Sequence, residues 1–191
     1  EGEQVKAGQE LATLEKERAT AGVDEGSAKV AALSAALIRA RAEAQGQAPV
    51  FPAALQKWPE FVAEQRLLNA QKRKSLEAEL GMLQESHALA KEELQLSQKL
   101  FASGDISRLE LMRAQRQAVE LAGRIESTHN KYLQDARSEA AKLQEELASQ
   151  RFKLDERQSL LQHTELTSPV AGIVKSLRIN TVGGVLRAGD E

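Results

Sequence analysis

Ala102-Ser103-Gly104-Asp105-Ile106-Ser107 interrupts the middle of a long helix-favouring sequence, and its reading decides between one helix and a hairpin. Gly104 can take the left-handed conformation that ends a helix, and Asp105 or Ser107 can cap the next one. Ser-Gly-Asp therefore joins a stop signal to a start signal. The alternative is a single helix running uninterrupted through Gly104. The turn predicts two antiparallel helices, near residues 60–102 and 107–162, with a tip at 102–107.

The flanking sequence supports long helices. No proline lies between residues 60 and 167, and the composition is rich in Leu, Ala, Glu, Gln, Lys and Arg. Before the tip, Leu76, Leu80, Leu83, His87, Ala90, Leu94, Ser97 and Phe101 alternate steps of four and three, the seam of a coiled coil. After it, Ala118, Ala122, Ile125, His129, Tyr132, Ala136, Glu139 and Leu143 keep the alternation. Leu147, Gln150, Leu154, Arg157 and Leu161 follow past a stutter. A returning helix of roughly 55 residues would measure about 80 Å at ~1.5 Å per residue.

The outgoing arm reads as two pieces, near residues 24–45 and 60–102, together slightly longer than the return. Between them, residues 46–59 hold Pro49, Pro52 and Pro59. Pro52 suits the first position of a short helix and Pro59 the start of the long one. Phe51, Trp58 and Phe61 form either a hydrophobic clasp on the hairpin or part of a flexible linker, and exposing three large rings would be unfavourable.

Composition narrows the class. The 191 residues are 41% hydrophobic but only 3% aromatic, and 28% are charged. So few rings exclude a thick core and favour narrow helix seams. With 26 basic and 28 acidic side chains the net charge is −2, which gives no global attraction for nucleic acid. The absence of cysteine excludes disulfides and thiolate metal sites. No stretch approaches the ~18 apolar residues of a membrane span. The start at Glu1-Gly2 reads as an excised fragment, with any targeting or anchoring segment outside it.

The two ends resemble each other. Val5-Lys6-Ala7-Gly8 matches Leu186-Arg187-Ala188-Gly189, and Gln9-Glu10 faces Asp190-Glu191. Residues 1–14 and 166–191 carry β-formers such as Val170, Ile173, Val174, Leu177, Ile179 and Val182, split by Pro169, Gly172 and Gly183-Gly184. A repeat separated by about 160 residues implies two half-motifs, and a hairpin brings them together to complete one small β-domain.

These residues carry a resemblance. Residues 1–11 are similar to the first half of a biotinyl/lipoyl-like domain, and residues 166–174 with 181–185 to the second. Such a domain split by a long coiled-coil hairpin resembles the periplasmic adaptor, or membrane fusion protein, family. Phe51-Pro52, Trp58-Pro59-Glu60-Phe61 and Gly104-Asp-Ile-Ser-Arg-Leu-Glu-Leu111 resemble its hemolysin D (HlyD) branch, which serves type I protein secretion. The resemblance implies a mainly α chain: residues 1–22 and 165–191 as the β halves, and 23–164 as the helical insertion. It implies anchoring in the bacterial inner membrane through a segment outside these residues. It also implies assembly, commonly as hexamers, into a periplasmic tube that joins an inner-membrane ABC transporter to a TolC-like outer-membrane channel and passes a secreted protein.

The family's tip motif is Arg, Leu four positions on, and Ser seven further. Leu100 and Ser107 match it here, while Leu96 stands at the Arg position and Lys99 or Arg108 would supply the cation. Leu100, Gly104, Asp105, Ser107, Arg108 and Leu111 are the expected docking residues, with Arg108, Arg113 and Arg116 either a docking face or a solvated surface.

Nothing points to catalysis. His87, His129 and His163 lack metal-ligand spacing, and His87 and His129 are expected to fill seam positions. No phosphate loop or nucleophile motif occurs. The hairpin turn at which a carrier domain holds its modified lysine is here taken by the helical insertion, and Lys175 has no Met neighbour. The expectation is no enzyme, no cofactor and no nucleic acid. Rival readings are a drug-efflux adaptor of the same family, a coiled-coil scaffold whose β ends do not pair, and a carrier-domain subunit.

Overall fold

The computed structural model describes residues 2–14 and 16–175. Its elements are β1 (Gln4–Val5), β2 (Glu10–Thr13), α1 (Lys16–Ala44), a 3-10 turn (Ala53–Lys57), α2 (Pro59–Ser103), α3 (Arg108–Gln162), β3 (Glu165–Thr167) and β4 (Gly172–Ile173). The chain is mainly α, and it divides into two compact units. One contains Glu1–Ser27 with Phe152–Glu191, the other Ala28–Arg151.

In the first unit both ends of the chain pair. β1 runs antiparallel to β4 with Gln4 opposite Ile173, and β2 antiparallel to β3 with Thr13 opposite Glu165. Gly2 N–H donates to the Val174 carbonyl at 2.8 Å and Gly8 N–H to the Ser168 carbonyl at 2.7 Å, which extends the ladders beyond the strands. Between β1 and β2, Gln9 N–H donates to the Lys6 carbonyl at 3.0 Å. Gly8 at φ +80° sits third in this turn, where a type II bend requires positive φ. Leu186-Arg187-Ala188-Gly189, the second copy of the repeat, lies outside the described residues.

The first helix starts at Lys16 and not near residue 24, because Gly22 and Gly26 do not end a segment but lie inside α1. A Cβ on Gly26 would lie 3.1 Å from Leu154 Cδ1, and the Gly22 carbonyl accepts a 2.8 Å bond from Arg157 Nη1. Close approach of α3 offsets the ~1 kcal/mol that each glycine costs a helix interior.

In the second unit α1, α2 and α3 lie side by side. Arg39 bonds Gln65 and Glu43 bonds Asn69, so α1 runs parallel to α2; Gly22 meets Arg157 and Gly26 meets Leu154, so it runs antiparallel to α3. The two pieces of the outgoing arm therefore overlap instead of following end to end. This accounts for α1 and α2, at 29 and 45 residues, exceeding the 55 of α3 by so much. Gly46 at φ +68° closes α1: its N–H donates to the Glu43 carbonyl and Gln47 N–H to that of Ala42, a Schellman pair. The chain then doubles back about 20 Å along α1, at ~1.5 Å per residue, before Pro59 opens α2. Phe51, Trp58 and Phe61 pack with Ile38 and Val62 around buried Ala31, Ala35 and Leu55. Arg66 lies over the Phe51 ring at 5.6 Å. The rings form a clasp, and what they clasp is α1.

The seam of α2 follows the expected positions from Leu76 to Ser97, with Ala90 buried. On α3 it takes the other phase. Leu121 and Thr128 are half-buried while Ala122 and His129 are exposed. Both phases pass through Ala118, Ile125 and Tyr132, and the inward choice of Leu121 over Ala122 buries more apolar area. A second cluster, Leu37, Ala40, Ala140 and Leu147, joins α3 to α1 and explains why the alternation slips there.

Candidate functional site

The tip is built by local rules. Gly104 at φ +87° ends α2; its N–H donates to the Phe101 carbonyl at 3.1 Å, and Asp105 N–H to that of Leu100 at 2.8 Å. This is the Schellman arrangement. The Asp105 carboxylate accepts from the Ser103 hydroxyl. Ser107 then caps α3 in a capping box: its hydroxyl accepts from Glu110 N–H at 3.3 Å, and Glu110 Oε2 accepts from Ser107 N–H at 2.7 Å. Those bonds, the backbone one first, hold the Glu110 carboxyl below its ordinary range. Valine at Gly104 should lower the unfolding free energy by about 1–3 kcal/mol, since a branched side chain is strained at positive φ. A urea titration showing no loss would mean that the turn adapts.

Around this turn, Leu100 and Leu111 are half-buried in the seam, whereas Gly104, Asp105, Ser107 and Arg108 face solvent. Phe101 was expected in the seam but stands 40% exposed, because Leu100 takes the last inward position before the turn. Leu96, Leu109 and Met112 are at least half exposed. Sequence reasoning passed over Leu109 and Met112; the signal was two apolar residues flanking the seam residue Leu111.

A buried ionic joint locks the three helices, and no motif announced it. Arg39, with 1% of its surface exposed, donates from Nε to Gln65 Oε1 at 2.8 Å, from Nη1 to Glu43 Oε2 at 2.7 Å, and from Nη2 to Glu139 Oε1. Lys72 Nζ reaches Glu139 Oε2 at 2.9 Å, and Asn69 Nδ2 reaches Glu43 Oε1 at 3.2 Å. Burial pushes the Glu139 carboxyl up, but hydrogen bonds from Arg39 and Lys72 outweigh it and hold the group below the ordinary carboxylate range. The available hint was the pair Arg39 and Glu43, four apart, inside the alanine-rich Ala31–Ala44 stretch.

Beside the joint, Tyr132 lines a cleft of about 400 Å³ with Glu43, Lys72 and Glu79. Its hydroxyl is buried without a hydrogen-bond partner, and burial raises its pKa. Tyr132→Phe should leave the melting temperature unchanged or raise it, because it removes a desolvated hydroxyl that makes no bond. A clear drop would place an ordered water on that oxygen.

Among the described residues no group of three His, Asp or Glu side chains converges as a metal site. His87 is half-buried, His129 is exposed, and His163 Nδ1 lies 2.6 Å from the Ser159 carbonyl. No described helix is long and apolar enough to cross a membrane.

No protein-family model and no curated protein sequence matches the chain. Among solved structures it is similar to the soluble domain of LipC, a membrane fusion protein of a type I secretion system. Identity is 27% over 99% of this chain and 90% of that one, with a TM-score of 0.66. It also resembles the periplasmic adaptor protein EmrA, at 20% identity over 99% of this chain and 64% of that one, TM-score 0.47. The chain therefore shares the fold of a membrane fusion protein's soluble domain.

Proposed function

We propose that this adaptor serves type I protein secretion, joining an inner-membrane ABC transporter to a TolC-like outer-membrane channel. The likeness to the LipC soluble domain over nearly the whole of both chains carries this reading. The β unit is then the split biotinyl/lipoyl-like domain that sets the base, with membrane anchoring through a segment outside these residues. The tip, Leu100, Gly104, Asp105, Ser107, Arg108 and Leu111, is the docking end. A rigid turn with exposed Leu109 and Met112 beside it supports that role, since apolar groups next to a fixed turn offer contact area at little entropic cost.

The mechanism is geometric. The hairpin spans distance, the ionic joint stiffens it, and exported protein passes between copies, hexameric by family resemblance, without chemical change, catalysis or cofactor. A photo-crosslinking residue at Leu109 of the full-length adaptor should capture an outer-membrane channel protein in cells exporting their substrate. Capture of no outer-membrane protein would remove the tip from docking. Unaltered protein export in a strain lacking the adaptor, with a gain in sensitivity to small toxic compounds, would favour the drug-efflux reading instead.

A further inference from the structure

Between the ionic joint and the tip, several independent features weaken the helix pair at one height. Ser97 and Ala114 meet across the hairpin near the tip, and Lys72 meets Glu139 at the joint. In that register residues 81–88 of α2 face 123–130 of α3, with Gly81 and Gly123 at diagonally opposite corners. Neither glycine has positive φ, and a Cβ on either would meet nothing within 4 Å. Gly22 and Gly26, by contrast, sit against Arg157 and Leu154. A glycine that serves neither turn nor close packing lowers helix stability relative to alanine and leaves the backbone freer to bend. Ser86 adds to this: its hydroxyl donates to the Met82 carbonyl at 2.9 Å, a back-bond that bends helices.

Packing is thinnest at the same height. On α2 no residue is fully buried between Asn69 and Ala90, and on α3 none between Ala118 and Ala136. The seam across this gap sets Leu83 and His87 against Ile125 and Thr128, all only half-buried and two of them polar. Toward the joint, Tyr132 borders two clefts of about 400 and 230 Å³. On the tip side of Lys72 and Glu139 no ion pair among the described residues ties α2 to α3; Arg124 with Glu120 stays within one helix. Either side of the gap is firmer. Three helices and the Arg39 network lie below it, and buried Ala90, Ala114 and Ala118 lead to the capped turn above.

We infer that residues 81–88 of α2 and 123–130 of α3 form a flexing segment, at which the tip half of the hairpin bends against the three-helix section. Bending there breaks no cross-hairpin ion pair and uncovers no fully buried side chain, so it is the least costly place to bend. Its use rests on the adaptor reading: a rigid tip on a fixed base needs lateral play to seat on a partner. The two glycines supply that play at the expense of stability.

Exposed Arg108 and Glu145 straddle the segment along α3, whereas Arg108 and exposed Glu120 lie on one side of it. Spin labels on Arg108→Cys and Glu145→Cys in the full-length adaptor, diluted into excess unlabelled protein, should give a broad distance distribution. The Arg108→Cys and Glu120→Cys pair should give a narrow one. Gly81→Ala with Gly123→Ala should narrow the straddling distribution about twofold and raise the melting temperature by about 2–4 °C per glycine. In a strain whose export requires the adaptor, this stabilised variant should secrete several-fold less substrate at normal abundance. Adding Gln84→Gly, which returns a glycine to the segment, should restore both width and export. Equal widths in parent and alanine variant, a lowered melting temperature, undiminished export, or no rescue by Gln84→Gly would each overturn the segment. The distances need no substrate, so an adaptor that proves dispensable for export would sink the secretion reading while the labels still decide the bending.

Discussion

Methionine at Arg39 should cost about 3–5 kcal/mol of unfolding free energy, the penalty for leaving a buried charge without its partner. The charge left behind is Glu43, whose side chain is 1% exposed and whose Oε2 lies 2.7 Å from the Arg39 guanidinium. Lys72 at 3.4 Å from the same oxygen, with a third of its side chain exposed, and Asn69 at 3.2 Å from Oε1 remain as longer, weaker partners. Arg39→Met combined with Glu43→Leu should recover much of the loss, since a well-packed apolar pair can match a buried ion pair. Denaturant titration of the single and double variants measures both numbers. A single variant within about 1 kcal/mol of the parent would show that water already reaches Glu43. The joint also sets a pH dependence. Glu139 is held below its unfolded value, so its stabilisation is complete above an unfolded pKa of about 4.3 and fades as pH falls through the lower folded value. Acid below about pH 4 should therefore loosen the three-helix section, and Glu139→Gln should flatten that response.

Aspartate at both Leu100 and Ser107 should abolish protein export while leaving the hairpin folded. Ser107 is the N-cap of α3, and aspartate caps a helix about as well as serine. The Leu100 carbonyl, which accepts from Asp105 N–H, is unchanged by substitution of its side chain. The turn's bonds therefore survive; Leu100→Asp also costs seam packing at the end of α2, where Leu100 is half-buried, and the two added negative charges at the tip are what a complementary docking surface would reject. Secreted substrate in culture medium, measured against adaptor abundance in the membrane, is the readout. Normal export at normal abundance would take these two residues out of the docking contact. Lost export with lost adaptor would be a folding defect, and Gly104→Val, which strains the turn without adding charge, would reproduce it.

Much of the second unit was legible where signals are local. Gly104 followed by Asp105 and Ser107 marks a turn in four residues of sequence, because a Schellman close and a helix cap each use atoms only a few positions apart. Pro59 at the first position of α2 and the half-buried line from Leu76 to Ser97 were readable for the same reason. The candidate tip came from that local pattern together with a family resemblance. Leu109 and Met112 were missed because exposure on a helix flank is set by which phase of the seam turns inward.

Sequence alone determined that long helices form, where the central one stops and restarts, and that three aromatic rings near Pro52 and Pro59 need cover. Tertiary structure alone decided that the cover is α1, that α1 runs beside α2 rather than ahead of it, that Gly22 and Gly26 pass through a helix instead of ending one, and that Leu121 faces inward in place of Ala122. The physical reason is range. Caps and turns are settled by neighbours within a few residues, whereas Arg39 meets Glu139 and Gly22 meets Arg157 across a hundred residues or more, and nothing in the intervening chain encodes which faces will meet.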